Sequence, residues 1–74
     1  MKLPVISGKE MLKLLQQQGF VVVRQRGSHV SLHKKLEGKT LLVVVPLKKE
    51  IKKGTLLSIL RQANLTRNEF LELL

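Results

Sequence analysis

Arg24 and Arg26 lead into a Gly27-Ser28 pair, and His29 follows at once. An imidazole can take up or release a proton near neutral pH, and guanidinium groups grip phosphate oxygens in a forked geometry. A histidine held beside cations therefore suits proton transfer next to a phosphate. The plainer reading of the same residues is a surface histidine beside a hairpin. A second imidazole, His33, stands four positions on, and a second cationic cluster, Lys48, Lys49, Lys52 and Lys53, precedes Thr55.

Metal ligands are sparse. The chain has no cysteine and no aspartate, and its five glutamates are scattered over separate stretches. On a strand, His29 and His33 would lie about 13 Å apart, too far to share one ion. No carboxylate cluster presents itself for magnesium, so the expectation is a protein without metal or cofactor. Cleavage of RNA needs neither. RNA carries its own nucleophile, the 2′-hydroxyl, and asks only for a base, an acid and charge stabilisation. His29 is the candidate base, with Arg24, Arg26 or a connector lysine facing the developing charge. His33 lies too far along the strand to share that phosphate, which leaves His29 for both proton transfers or a lysine as the acid. DNA lacks the hydroxyl and would not be cut.

The elements that must position these groups follow from pattern. Ser7-Gly8-Lys9-Glu10 is a capping box, predicting a helix over 8–18 with Met11, Leu12, Leu14 and Leu15 as its apolar stripe. Gly19 ends it, and Lys9 and Lys13 share a solvated face. Phe20 to Val23 is β-branched and aromatic, predicting a strand that runs into the arginines. Gly27-Ser28 supplies a turn. From His29 to Lys34 polar and apolar residues alternate, so Val30 and Leu32 face one way while His29, Ser31 and His33 face the other. A turn over 35–38 leads to a third strand over 39–45, stopped by Pro46. A second helix is predicted over 55–63 with Asn64 as its cap. Thr66-Arg67-Asn68-Glu69 is another capping box opening a last short helix. The order α-β-β-β-α, with a terminal helical turn or two, predicts an α+β fold. Its three-stranded antiparallel sheet would carry helices on one face. Met1 to Ile6 reads as a short extended lead. No repeat or linker interrupts the 74 residues, so 1–74 reads as a single domain.

Bulk composition narrows the partner. With 43% hydrophobic residues the chain can support a core, and its apolar segments are too short to span a membrane. Without a signal-peptide pattern, the expectation is a soluble, cytoplasmic protein. The formal charge is +9. Nine cations against Glu37 and Glu50 place +7 of it between residues 24 and 53. Such a surplus predicts a polyanionic partner. A membrane surface would fit the charge, but no single basic amphipathic helix is present. Lysines at a helix start oppose the macrodipole by about 0.3–1 kcal/mol each. Four of them just before Thr55 are explained if that end binds phosphate through free amides, the Thr55 hydroxyl and the ammonium groups. A solvated lysine loop is the alternative. Gly54 either eases the chain into the helix or lets a phosphate approach the backbone. Phe20 and Phe70 are the only Phe, Tyr or Trp residues and neither is clearly exposed, so backbone and shape contacts are expected over base stacking.

Taken together, these stretches resemble the HicA toxins. The resemblance rests on Gly19-Phe20, on Arg24-Gln25-Arg26-Gly27-Ser28-His29 and on Val44-Val45-Pro46. It continues through Lys49-Glu50-Ile51-Lys52-Lys53-Gly54-Thr55-Leu56 and Ile59-Leu60-Arg61-Gln62-Ala63-Asn64-Leu65. It implies a double-stranded-RNA-binding-domain-like α-β-β-β-α fold and the activity of an mRNA interferase, a ribonuclease toxin that stops translation. It places the catalytic histidine at His29 and implies a HicB antitoxin that covers it. RNA and phosphate contacts are expected from Arg24, Arg26, Ser28, Lys48, Lys49, Lys52, Lys53 and Thr55. Many relatives carry a histidine after the proline that ends the third strand; here Leu47-Lys48 stands in its place. A non-catalytic RNA-binding module using the same basic face is the competing expectation. Phe70, Leu71, Leu73 and Leu74 exceed one stripe of a short helix, which leaves them to pack across the first helix or to meet a second copy or the antitoxin.

Overall fold

Both capping boxes form. The Glu10 N–H donates to Ser7 Oγ at 3.1 Å and the Ser7 N–H to Glu10 Oε1 at 3.0 Å, opening α1 (Gly8–Gln17). Thr66 and Glu69 repeat the exchange at α3 (Arg67–Leu73), at 2.9 and 3.1 Å. The backbone hydrogen bond from Ser7, then its hydroxyl, holds the Glu10 carboxyl below the ordinary range, and Thr66 does the same for Glu69. The computed structural model describes residues 3–74, so Met1 and Lys2 of the predicted extended lead lie outside it.

Between these helices run β1 (Val21–Arg26), β2 (His29–Leu36), β3 (Lys39–Pro46) and α2 (Lys53–Gln62). The strands form one antiparallel sheet in the order β1-β2-β3. This is the predicted α+β arrangement, consistent with a double-stranded-RNA-binding-domain-like fold. Val30 and Leu32 of β2 and Val43 and Val45 of β3 are buried with Met11 and Leu15 of α1 and Leu56 and Ile59 of α2. The opposite sheet face is open, with Val21, Leu42 and Val44 all exposed on it. Period-2 patterning decides this: the apolar residues of β2 go to the helices and the histidines to the open side.

Several boundaries differ from expectation: α1 ends at Gln17 and α2 at Gln62, each one residue early, β1 starts at Val21 rather than Phe20, and β3 includes Pro46, which pairs with His29 instead of stopping the strand. The second turn tightens to Glu37-Gly38, because β2 and β3 pair as far as Leu36↔Lys39. Helix α2 starts at Lys53 rather than Thr55. The Lys52 carbonyl accepts from the Leu56 N–H at 2.8 Å and closes the first turn, with no side-chain cap to mark it. Thr55 is therefore the third residue of the helix rather than its first. Asn64 takes the left-handed conformation after α2 (φ 58°), as a residue ending a helix does. Phe70 is fully buried in the same core and Leu73 packs against it, while Leu74 stays exposed. Leu73 and Leu74 line a groove with Ile6, Lys13 and Leu14, so α3 lies beside α1. Of the uses expected for its leucines and phenylalanine, burial within the chain is the one Phe70 and Leu73 adopt.

Candidate nucleic-acid interface

His29 opens the central strand. Gly27 adopts φ 59°, so glycine suits the first position of the two-residue turn, and the Gln25 side-chain amide braces it by donating to the Gly27 carbonyl at 3.2 Å. On one side His29 pairs with Arg26 and on the other with Pro46. Ser31, the next residue on that face, pairs with Arg24 and Val44. Both guanidinium side chains thus share the open face with the imidazole, and all three residues are exposed.

A β-bulge makes this alignment. Val22 pairs with Leu32 and Arg24 with Ser31, leaving Val23 as an extra residue on β1. In a regular ladder Val23 would oppose Ser31 and Gln25 would oppose His29, with Arg24 on the helix side. One inserted residue reverses the parity and brings Arg24 and Arg26 to the histidine.

The lysine connector is tied down on its backbone. The Leu47 N–H donates to the Ser28 carbonyl at 2.6 Å, next to His29. The Gly8 N–H donates to the Lys48 carbonyl at 2.8 Å and the Ile51 N–H to the Ile6 carbonyl at 2.9 Å. Gly8 permits this close approach: a Cβ there would come within 2.8 Å of the Leu47 Cα. Lys48, Lys49, Lys52 and Lys53 remain exposed. Lys48 and Lys49 line a pocket of about 190 Å³ with Ser7 and Lys9. Lys9 was legible only as a solvated residue, since no spacing in the sequence announces that α1 docks on the end of β3.

The site residues thus fall into two groups. Arg24, Arg26, Ser28 and His29 gather at one end of the sheet, with Lys48 and Lys49 joined to them through the Ser28–Leu47 bond. Lys52, Lys53 and Thr55 stand at the start of α2, exposed, with no side-chain hydrogen bond joining them to the first group among the described residues. No acidic residue lies in the paired strands β1, β2 and β3. Among the described residues no three His, Asp or Glu side chains come together as a metal site would need, and no helix is long and apolar enough to cross a membrane. The arrangement can bind an anionic chain and hold an imidazole against it.

No curated protein matches this chain. A family model described as the HicA toxin of bacterial toxin-antitoxin matches residues 8–65, a span that takes in α1, the whole sheet, the lysine connector and α2. On the strength of that match, the chain belongs to the HicA family of toxins from bacterial toxin–antitoxin systems.

Proposed function

We propose that this chain is a metal-independent endoribonuclease, an mRNA interferase that cuts mRNA in the cytoplasm and so inhibits translation. One arrangement supports the reading above all: the bulge at Val23 that sets Arg24 and Arg26 on the same open face as His29. The His29 imidazole takes the proton of a 2′-hydroxyl as that oxygen bonds to phosphorus. The bond from phosphorus to the 5′ oxygen breaks, and the imidazolium or a connector ammonium returns a proton to the leaving oxygen. Arg24 and Arg26 neutralise charge on the phosphoryl oxygens. Ser28, Lys48 and Lys49 hold adjacent phosphates, and Lys52, Lys53 and Thr55 meet one further along the chain. A HicB-like antitoxin would silence the toxin by covering His29.

One observation favours the competing reading, a non-catalytic RNA-binding module. Among the described residues no side-chain hydrogen bond orients the His29 imidazole, whereas a working base is usually held by a partner. A gel assay of wild type and His29→Ala on a long single-stranded RNA in excess EDTA separates the two. Cleavage by wild type alone, leaving 2′,3′-cyclic phosphate or 3′-phosphate ends, is the expected result. RNA left intact by both proteins, yet shifted equally and in a salt-sensitive way, would establish the binding module instead.

A further inference from the structure

The open sheet face continues past His29. The next two rows across the strands are Arg24–Ser31–Val44 and Val21–His33–Leu42, followed by Lys35 opposite Thr40. Val21 is 57% exposed and Leu42 58%, and the half-buried His33 lies between them. Among the described residues no helix lies on this face, and neighbouring exposed apolar side chains mark a contact surface. Cations bracket it, with Arg24 and Arg26 at one end and Lys35 at the other, and no carboxylate falls on any of its rows.

An apolar strip between cations matches a polymer with an anionic backbone and flat, weakly polar side groups. Single-stranded RNA is such a polymer. Both phenylalanines are unavailable for stacking: Phe70 is fully buried, and Phe20 is 4% exposed with Lys34 Nζ lying 5.8 Å from its ring centre. The flat ring left on this face beyond His29 is the imidazole of His33, and histidine is among the side chains on which unstacked bases rest. It stands about 13 Å from His29 along β2, too far to serve the phosphate being cut and suited to the base of a neighbouring nucleotide.

We infer that Val21, His33 and Leu42 form a nucleobase subsite, on which a base of single-stranded RNA stacks against the His33 ring while its backbone follows the arginines. This rests on the reading of the chain as an RNA-binding toxin and extends it from phosphate to base. Charge complementarity and continuity with the His29 row along one strand favour RNA over a protein partner for this face.

The test uses the full chain and a short 2′-O-methyl RNA, which cannot be cut because its nucleophile is blocked, with a matched oligomer whose interior bases are removed. Binding is read by fluorescence anisotropy. His33→Ala should weaken binding of the base-bearing oligomer about tenfold and leave the abasic one unchanged. His33→Phe should restore it, since a phenyl ring stacks and does not titrate. Leu42→Ser, at a residue 58% exposed, should weaken the base-bearing oligomer in the same sense. Equal binding of the two oligomers by wild type, or equal loss on both with His33→Ala, would overturn the subsite and leave the face to a protein partner. Failure of the nuclease reading is distinguishable: unmodified RNA would stay intact while the contrast between the two oligomers persisted.

Discussion

Gly54 shows what a single residue can decide. It sits in the first turn of α2, where a Cβ would meet nothing within 4 Å, and its φ is not positive. Neither packing nor backbone conformation asks for glycine there, and the helix loses stability by having one. What glycine leaves open is the approach to the first amides of α2, beside Lys52 and Lys53. Gly54→Ala should therefore raise the unfolding free energy by about 0.4–1 kcal/mol, by restricting the unfolded chain and favouring helix. The same change should weaken RNA binding severalfold, as the methyl group obstructs a phosphate. Urea unfolding and anisotropy titrations on one preparation read both effects. A more stable variant with undiminished affinity would mean that the α2 end does not hold phosphate and that Gly54 merely eases the chain into the helix.

At the scale of the element, strand parity is what couples arginine to histidine. Exchanging two neighbours, Arg24→Gln with Gln25→Arg, keeps composition and net charge and moves one guanidinium to the helix side of β1. If charge alone mattered, RNA affinity and cleavage would both survive. If Arg24 must face the reacting phosphate, cleavage should fall by about 100-fold while the salt dependence of binding is little changed. Gel cleavage and salt titrations check this, and a swapped variant that cuts at the wild-type rate would remove Arg24 from the catalytic reading. The parity itself was not legible beforehand. Three consecutive valines carry no alternation, so nothing in Val21-Val22-Val23 marks which of them is extra. The alternation from His29 onward was legible, as were the two capping boxes, because each is a local pattern with a local cause. The start of α2 was not, because Lys52 supplies no capping side chain to mark it.

In the whole molecule the sheet divides its work between two faces: helices pack on one side, and Arg24, Arg26, His29, His33 and Lys35 occupy the other. Two of the five glutamates, Glu10 and Glu69, cap helices, and none of the five lies in a strand. The family match ends at residue 65, yet α3 beyond it contributes Phe70, the largest of the fully buried side chains. Sequence alone left Phe70 between core and partner surface, because a helix of seven residues has too few positions to show which stripe faces inward. Its burial carries a consequence for a domain this small. Typical per-residue stability allows 74 residues about 4–11 kcal/mol in total, and Phe→Ala in a core costs about 3–5 kcal/mol. Phe70→Ala should therefore remove a large part of the stability, lowering the urea midpoint sharply with little change in the slope of the transition. Leu74→Ala, at a residue 59% exposed, should stay within about 0.5 kcal/mol of wild type. The opposite pattern, a stable Phe70→Ala protein that no longer associates with its antitoxin, would mean that α3 serves the partner and not the core.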